Sequence, residues 1–273
     1  MILIGESGAT KADWRLIGKD GNIQQFQQKG FNMATHDSAE FLEGLKPLIA
    51  EPEKVTKVYL YAAGVSEGLK KPLIKSMNGL FPDAVISVET DLLAAARGIF
   101  GTEAGMVGIL GTGANLCEYN GDKITGRIPP LGYILGDEGG GSYMGRKMLA
   151  RYLRGQFSDE LLAEISTYFN GIEEEEVIRE VYGKPSNTYL ASFSRFLIEN
   201  QNDREIYQLI HRCFHDYFDA FEATTDLRYG FTGSVAFLCG NILRKVAAER
   251  RIMLDLIVQS PIAGLTLYHQ ENG

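Results

Sequence analysis

The sequence predicts an α/β fold with two domains, and three observations support this prediction. The chain has 273 residues, which is enough for about two domains of the usual size. Its 45% hydrophobic and 23% charged residues are typical of a folded globular protein. Apolar strand-like runs alternate with segments of helical spacing, an order that favours helices layered on sheets.

The N-terminal part of the chain begins with a predicted hairpin and continues with alternating helices and strands. A glycine turn ends the first apolar run, and Asp20-Gly21 ends the second. Further on, Thr90 and Asp91 are typical residues for the start of a helix. Strands are predicted at residues 1–5, 13–18, 22–29, 55–62 and 84–88, and helices at 37–49, 67–80 and 90–99.

A similar pattern begins again at Met106. Residues 106–110 form an apolar run, 111–115 a glycine turn, and 116–119 a second strand-like run, which suggests two related halves. The rest of the chain is mainly helical. Helices are predicted at 143–153, 159–168, 173–182, 189–199, 203–223 and 234–250, a strand at 227–232, and a short closing segment at 261–269.

Charge and cysteine content exclude several classes of protein. With 27 Lys and Arg against 35 Asp and Glu, the net charge is −8, which argues against a protein that coats nucleic acid with a basic surface. The three cysteines have no C-x-x-C spacing, so neither a disulfide framework nor a cysteine metal cage is supported. Neither a signal peptide nor a long apolar run is recognised, so we expect a cytoplasmic protein without a membrane partner.

Three turns with glycine follow apolar strands, at residues 6–11, 110–115 and 231–235. Glycine lets backbone N–H groups approach an anion, and neighbouring Ser or Thr hydroxyls add donors. Any one of these turns could simply be a tight hairpin, but three at strand ends favour a phosphate site. Neither the P-loop pattern nor the dinucleotide G-x-G-x-x-G pattern occurs at these turns.

Taken in order, the turns resemble the nucleotide-binding motifs of the actin, hexokinase and heat-shock ATPase superfamily. Glu6-Ser7-Gly8-Ala9-Thr10-Lys11 resembles its phosphate-1 loop, Gly111-Thr112-Gly113-Ala114-Asn115 its phosphate-2 loop, and Gly233-Ser234-Val235-Ala236 its adenosine segment. Three further stretches resemble N-acetylglucosamine kinases and the BadF/BadG/BcrA/BcrD ATPase family. They are Thr90-Asp91-Leu92-Leu93-Ala94-Ala95, Leu131-Gly132-Tyr133-Ile134-Leu135-Gly136-Asp137-Glu138-Gly139 and Ser260-Pro261-Ile262-Ala263-Gly264-Leu265.

The resemblance covers nearly the whole chain and implies two ribonuclease-H-like lobes with an interlobe cleft. The N-terminal lobe would contain residues 1–103, joined by 260–273, and the C-terminal lobe residues 104–259. The implied activity is transfer of the γ-phosphoryl group of ATP, with Mg²⁺, to an amino sugar such as N-acetylglucosamine. A homodimer is a further expectation from the relatives.

The resemblance also implies roles for residues on the sugar side. Asp91 matches the carboxylate that accepts the proton of the sugar hydroxyl, although its position also suits a helix cap. The implied substrate-binding residues are Asn32, Asp91, Leu131, Gly132 and Asp137. A solvated loop residue is an equally good interpretation of Asn32.

On the nucleotide side, Thr10 and Thr112 are the expected hydroxyl donors to the phosphates, and Lys11 the expected cation near the γ-phosphate. A surface lysine is the alternative for Lys11. The implied ATP-binding residues are Gly8, Thr10, Lys11, Gly111, Thr112, Gly113, Ala191, Gly233 and Ser234. Glu6 stands where many superfamily members have Asp, and it is the expected ligand of Mg²⁺ through water.

Two other functions remain open at this point. One is an ATPase that activates a radical dehydratase, although none of the cysteines lies in a recognisable cluster motif. The other is a sugar or nucleotide sensor that has kept the fold and lost transfer. His211 and His215 are four residues apart on a predicted helix, but the glutamate of an H-E-x-x-H motif is missing, so a solvated or packed face is favoured over a metal site.

Overall fold

The computed structural model describes residues 1–8, 11–34, 37–183 and 186–272, which form two compact units. The first unit contains Met1–Glu103, Gly121–Lys123 and Ser260–Gly273. The second unit contains Ala104–Asn120 and Ile124–Gln259. Within the described ranges, every helix is too short or too polar to cross a membrane.

In the described part of the chain, the first unit is centred on a five-stranded mixed sheet. Its order is β3-β2-β1-β4-β5, in which β1 pairs antiparallel with β2, β2 antiparallel with β3, and β1, β4 and β5 run parallel. The strands are β1 (Ile2–Ser7), β2 (Lys11–Ile17), β3 (Ile23–Lys29), β4 (Lys57–Ala62) and β5 (Val85–Thr90).

Helices cover both faces of this sheet. They are α1 (Ser38–Leu45), α2 (Glu67–Leu80), α3 (Asp91–Phe100) and α13 (Ile262–Asn272), with short 3₁₀ turns at Lys46–Leu48 and Pro52–Lys54. Leu3 belongs to the apolar cluster beneath α1 and α2, whereas its neighbour Ile4 packs with Ala94 of α3 and Leu265 of α13. Because both faces are buried, β1 has a continuous apolar sequence instead of an alternating one.

The second unit is also centred, within the described residues, on a five-stranded mixed sheet, in the order β10-β9-β6-β7-β8. Here β6 pairs antiparallel with β7, β7 antiparallel with β8, and β6, β9 and β10 run parallel. The strands are β6 (Ala104–Leu110), β7 (Ala114–Asn120), β8 (Ile124–Arg127), β9 (Arg228–Thr232) and β10 (Met253–Val258).

A large apolar core joins this sheet to the helices of the second unit. Met144 of α5, Phe214 of α10 and Leu243 of α12 are fully buried within it. The helices are α4 (Gly132–Leu135), α5 (Gly141–Leu153), α6 (Asp159–Tyr168), α7 (Glu174–Gly183), α8 (Asn187–Ser192), α9 (Ser194–Glu199), α10 (Arg204–Ala220), α11 (Ser234–Leu238) and α12 (Gly240–Glu249).

The two sheets have the same topology. In each unit a meander of three antiparallel strands is extended, on the side of its first strand, by two parallel strands that follow helices. The repeated pattern of strand, glycine turn and strand therefore marks equivalent positions in two similar sheets. The predicted α/β fold with two lobes is confirmed.

Several predicted elements differ in detail. The helix predicted at 189–199 is divided into α8 and α9, and the one at 234–250 into α11 and α12, where Gly240 follows the break. Sequence analysis missed α4 and β8, which have only four residues each, too few for a recognisable period. It also missed β10, whose apolar run is interrupted by Asp255 and whose pairing shifts register between Leu254 and Leu256.

Candidate functional site

Three acidic side chains of the first unit belong to one end of its sheet. The ends of three parallel strands are in register, Ser7 with Ala62 and Ala62 with Thr90. Glu6 lies one residue before the end of β1, and Asp91 follows β5 directly. Ligands of open α/β sheets bind at the carboxyl ends of strands, so both acids lie at the edge where a substrate site is expected.

Asp13 is the third acid, and sequence analysis missed it. It lies opposite Glu6 in the antiparallel pairing of β1 and β2, and it is almost fully buried. The Gln27 side-chain amide donates to Asp13 Oδ1 at 2.7 Å, and Lys11 Nζ lies 2.9 Å from Asp13 Oδ2. Asp13 therefore holds the predicted phosphate-binding lysine through a direct ion pair.

Glu6 experiences the combined charge of this group. Burial of its carboxyl group is the main cause that raises its pKa to about 7, and the negative charges of Asp13 and Asp91 raise it further. A hydrogen bond from Ser260 Oγ, at 3.4 Å, and the charge of Lys11 act in the opposite direction. The raised pKa shows that an additional positive charge near Glu6 would be stabilising.

The hydrogen bonds at the start of α3 show which residue caps the helix. Thr90 occupies the N-cap position, where its Oγ1 accepts a hydrogen bond from the Leu93 amide at 3.2 Å. Asp91 is the first helical residue, and its Oδ1 accepts from the Leu92 amide at 2.9 Å. Thr90 therefore supplies the N-cap hydrogen bond, and the helix does not depend on Asp91 for it.

Gly8 follows β1 directly, at the start of the connection to β2. The Gly8 amide donates to the Lys11 carbonyl at 3.1 Å, and the Phe31 amide donates to the Gly8 carbonyl at the same distance. Thr10 lies outside the described residues. Asn32 forms a bridge with Ala63 just beyond the end of β4, and its Oδ1 accepts from the Ala34 amide at 2.9 Å. Asn32 is thus in an ordered turn at the same end of the sheet.

A cavity of about 580 Å³ in the second unit gathers several predicted nucleotide-binding residues. The predicted residues in its wall come from the β6–β7 turn, the last turn of α8 and the start of α11, and they are Gly111, Thr112, Ala191 and Ser234. Ile198, Val235 and Leu238 add apolar surface to the same wall. An apolar pocket with a few polar groups is typical of small-molecule sites.

The β6–β7 turn is fixed by the N-terminus of α5. The Gly141 amide donates to the Gly111 carbonyl and the Ser142 amide to the Thr112 carbonyl, both at 2.8 Å. The Gly111 amide donates to the Gly113 carbonyl at 3.0 Å, so the turn is also closed on itself. These bonds hold the turn in place through its backbone, with no charged side chain in the turn itself.

Gly233 needs to be glycine. It precedes α11 with a φ of +109°, a value that side chains with a Cβ rarely adopt. A Cβ at this position would lie 2.3 Å from the Leu110 carbonyl oxygen at the end of β6. Gly233 therefore allows the start of α11 to pass directly beside the strand that leads to the Gly111 turn.

Asp137 packs against the same turn. Its Oδ1 accepts from the Ala114 amide at 3.3 Å, and a Cβ added to Gly113 would lie 2.8 Å from its Oδ2. Burial is the main cause that raises the pKa of Asp137, and the Ala114 hydrogen bond opposes it. The structure thus brings a predicted sugar ligand beside the predicted phosphate loop.

Leu131 and Gly132 lie on the loop that leads to Asp137. Leu131 and Asp137 both have left-handed backbone conformations, with φ of 61° and 55°. The Asp137 amide donates to the Pro130 carbonyl at 3.0 Å, which closes the loop. Backbone strain of this kind is often retained at functional sites.

The polar side chains of the cavity wall that sequence analysis missed lie on and after α9. They are Ser194, Arg195, Glu199 and Gln201. Arg195 Nε lies 2.7 Å from Glu199 Oε1, and Tyr168 donates to Glu199 Oε2 at 2.7 Å. The spacing of Arg195 and Glu199 is visible in the sequence as a helical ion pair, but their position beside the Gly111 turn depends on the tertiary fold.

The donor set of the first unit fits Mg²⁺ held through water. Carboxylate oxygen is the ligand that Mg²⁺ prefers, and the charges of Asp13 and Asp91 add to the burial that raises the pKa of Glu6. Among the described residues, three-residue groups of ligand atoms within 4.8 Å of one another do not include Glu6, Asp13 or Asp91. A Mg²⁺ ion at these acids would therefore keep several of its waters, as this ion usually does in proteins.

No protein-family model matches the chain, and no curated protein sequence matches it significantly. Among solved structures, a candidate N-acetylglucosamine kinase from Porphyromonas gingivalis is 35% identical, with a TM-score of 0.92 and coverage of 100% of this chain and 99% of that chain. A candidate N-acetylglucosamine kinase from Chromobacterium violaceum is 19% identical, with a TM-score of 0.74 and coverage of 98% of each chain.

A ROK-family glucokinase from Streptomyces griseus, solved with glucose and AMPPNP, is 16% identical with a TM-score of 0.56, and the match covers 99% of this chain and 98% of that chain. The two more distant structures share the fold. The Porphyromonas protein shares both the fold and more than a third of the sequence over the full length. On this likeness, the chain belongs to the N-acetylglucosamine kinase family of sugar kinases.

Proposed function

We propose that this protein transfers the γ-phosphoryl group of ATP to a hydroxyl group of an amino sugar, with N-acetylglucosamine as the expected acceptor. The observation that carries the proposal is the 35% identity, over the whole chain, with a candidate N-acetylglucosamine kinase. Two further observations support it: the acidic edge of the first unit and the cavity beside the Gly111 turn in the second.

Asp91 is the proposed general base. Its carboxylate accepts the proton of the acceptor hydroxyl as that oxygen attacks the γ-phosphorus, and the β–γ bridging oxygen leaves with ADP. Two facts support this role. Asp91 lies at the carboxyl edge of the sheet, and Thr90 supplies the helix cap in its place. The hydrogen bond from the Leu92 amide orients the carboxylate.

The cavity of the second unit is the proposed nucleotide pocket. Its volume of about 580 Å³ suits a nucleoside, and the apolar groups of Ile198, Val235 and Leu238 suit the face of a base. The backbone of the turn at Gly111 and Thr112 is proposed to contact the phosphates. In the first unit, Gly8, Thr10 and Lys11 are the proposed phosphate contacts, and Lys11 supplies the side-chain cation.

Asn32 and Asp137 are the proposed polar ligands of the sugar, together with the loop at Leu131 and Gly132. A half-buried carboxylate such as that of Asp137 can accept hydrogen bonds from two sugar hydroxyls, because a carboxylate has two acceptor oxygens. The amide of Asn32 can both donate and accept. A set of one acid and one amide suits a substrate that carries hydroxyl groups and no net charge.

Mg²⁺ is the proposed metal, with Glu6 as its ligand through water. When bound, the ion neutralises charge on the transferring phosphates. Asp13 does not have to bind the ion, because its two oxygens already interact with Lys11 and Gln27. Its charge instead raises the pKa of Glu6 and so increases the advantage of a bound cation.

The test is an assay of ADP release with ATP and Mg²⁺ over a panel of hexoses and hexosamines. We expect the largest kcat/KM for an N-acetylated hexosamine, and loss of turnover in Asp91→Ala. Absence of turnover with every sugar, or turnover that Asp91→Ala leaves unchanged, contradicts the proposal. Sugar binding in calorimetry without any turnover would favour the sensor function instead.

The burial of the cysteines argues against the alternative function, an ATPase that activates a radical dehydratase. Cys117, Cys213 and Cys239 are all buried, so a cluster shared between subunits could not reach them. Burial also raises the pKa of the Cys213 and Cys239 thiols to about 12, which disfavours the thiolates that bind iron.

A further inference from the structure

Two histidines and a glutamate of the second unit converge away from the cavity beside the Gly111 turn. His211 and His215 lie one turn apart on α10, and Glu249 is the last residue of α12. Glu249 Oε2 lies 2.9 Å from His211 Nε2 and 3.1 Å from His215 Nε2. Among the described residues, these three offer ligand atoms that all lie within 4.8 Å of one another.

We propose that His211, His215 and Glu249 form a binding site for a divalent transition-metal ion, with Zn²⁺ as the ion that fits best. Two imidazole nitrogens and one carboxylate oxygen are a set that zinc binds with three protein ligands and one open position. The same set is poor for Mg²⁺, which prefers oxygen ligands alone. The third ligand, Glu249, comes here from a second helix, α12.

Zinc binding would change which ring nitrogen of each histidine carries the proton. A carboxylate only accepts hydrogen bonds, so Glu249 Oε2 accepts from an N–H at Nε2 of each histidine. Zinc would bind at the two Nε2 atoms and at Glu249, and the ring protons would move to the Nδ1 atoms. The side chains of all three residues are partly exposed, so the ion can reach them from solvent.

Two basic residues oppose the ion. Lys245 Nζ lies 3.4 Å from Glu249 Oε1 and competes for its charge. Arg250 Nη1 lies 3.1 Å from His215 Nδ1. A guanidinium group only donates, so His215 Nδ1 is now an acceptor, and a proton there would be repelled by Arg250. Arg250 also forms an ion pair with Asp219. This ion pair would hold the guanidinium group if zinc binding displaced it from His215.

The cysteines of the chain do not compete for the metal. Cys213 lies between the two histidines in the sequence, but its side chain is buried in the core of the second unit. Burial raises the pKa of its thiol to about 12, so it remains protonated and a poor zinc ligand. The acids of the first unit are a second candidate site for zinc, and a variant at Glu6 separates the two sites.

The experiment is calorimetric titration of Zn²⁺ into tag-free, chelator-treated protein. We expect one zinc ion per chain, and binding at least about tenfold weaker in both His215→Ala and Glu249→Gln, since each removes one ligand. Glu6→Gln serves as the matched control and should bind zinc as the native protein does. Millimolar Mg²⁺ should not displace the ion.

Arg250→Met provides a test in the opposite direction. Because it removes the donor that faces His215 Nδ1, we expect zinc to bind more tightly. Zinc should also raise the Tm of the native protein but not that of Glu249→Gln, because the ion joins α10 to α12. Unchanged affinity in both ligand variants, or loss of binding in Glu6→Gln, would overturn the proposal. None of these results depends on kinase activity.

Discussion

The two hairpins that open the two sheets occupy equivalent positions and differ in chemistry. In the first unit, the second pair from the turn is Glu6 with Asp13, and Lys11 begins the second strand. In the second unit, the equivalent pair is Ile109 with Asn115. One hairpin therefore carries ionised side chains at its turn, whereas the other offers backbone groups and neutral side chains.

This difference shows how one supersecondary element can serve two purposes. The charges of the β1–β2 hairpin suit a metal ion, because Mg²⁺ prefers carboxylate oxygens as ligands. The β6–β7 turn, held by the α5 amides, suits close contact with a flat or anionic ligand without adding charge. Such a site is compatible with a net charge of −8, because it requires no basic surface.

The largest effect should come from Asp91, which belongs to the charged edge. Asp91→Asn keeps the oxygen that accepts from the Leu92 amide but removes the base. We expect kcat to fall by about 10³-fold, within the range of general-base contributions. The measurement is steady-state ADP release with saturating N-acetylglucosamine and ATP.

Thr90→Ala is the control that separates the base from the helix cap. Loss of the Thr90 hydrogen bond to the Leu93 amide should cost about 1 kcal/mol of stability and lower the Tm. Asp91→Asn should leave the Tm nearly unchanged. If Thr90→Ala lost as much kcat as Asp91→Asn, or if Asp91→Asn lost only stability, the assignment of the base would be wrong.

The second effect concerns the pKa of Glu6. Because that pKa is about 7 in the folded protein and 4.5 in the unfolded chain, the folded state holds an extra proton between these values. The free energy of unfolding therefore falls as pH rises from about 4.5 to about 7, by at most about 3 kcal/mol, and levels off above pH 7.

Glu6→Gln should remove this contribution to the pH dependence. In buffer without Mg²⁺ or nucleotide, the Tm of Glu6→Gln minus the Tm of the native protein should increase between pH 5 and pH 8. Glu53→Gln, at an exposed acid of the same unit, should follow the native curve. Parallel curves for the native protein and Glu6→Gln would show that burial and the neighbouring acids do not raise the pKa of Glu6.

Sequence reasoning predicted the local structure of this site where short-range chemistry decides it. The cap at Thr90, the apolar run before it and the turns with glycine are all local signals, so the helix start at Asp91 and the turn at Gly111 could be predicted from them. The functional roles of Asp91 and Gly111 rest on the resemblance and stay predictions. Asp13 could not be found in this way. Its importance depends on its register opposite Glu6 and on Gln27 from a third strand, which only the sheet brings together.

The same limit applies to the cavity wall and to the histidine cluster. Arg195 and Glu199 are an ordinary helical ion pair in the sequence, and only the packing of α9 places them beside the Gly111 turn. Glu249 is separated from His211 by 38 positions, so the spacing along α10 could not reveal the third ligand. Long-range packing therefore supplied the residues that local patterns missed.

The third effect concerns Asp137, which packs against the β6–β7 turn, and tests whether this region binds the sugar. Asp137→Asn should be well tolerated, because asparagine readily adopts the left-handed backbone found here and can still accept from the Ala114 amide. Loss of a charged hydrogen-bond acceptor should raise the KM for sugar by roughly 30-fold, or about 2 kcal/mol. The KM for ATP should change little.

Glu118→Gln is the matched control for Asp137→Asn, because Glu118 is an exposed acid on β7 of the same sheet. It should leave the KM values for sugar and ATP unchanged. If Asp137→Asn raised the KM for ATP and left that for sugar alone, Asp137 would belong to the phosphate loop and not to the sugar site.

The smallest effect should come from Gly111→Ala, which tests backbone recognition directly. A Cβ at Gly111 would meet no atom within 4 Å, so the added methyl group should not disturb folding. It would stand beside the cavity, however, where a phosphate is proposed to approach the backbone. We expect a KM for ATP about tenfold higher, equal to about 1.4 kcal/mol, with an unchanged Tm.

Gly79→Ala is the control for Gly111→Ala. A Cβ at Gly79 would also meet no atom within 4 Å, and Gly79 lies at an exposed position of α2, so this variant should leave the KM for ATP unchanged. Equal KM values for ATP in both variants would mean that the second hairpin is only a tight turn, and the contrast between the two hairpins would then rest on the charged one alone.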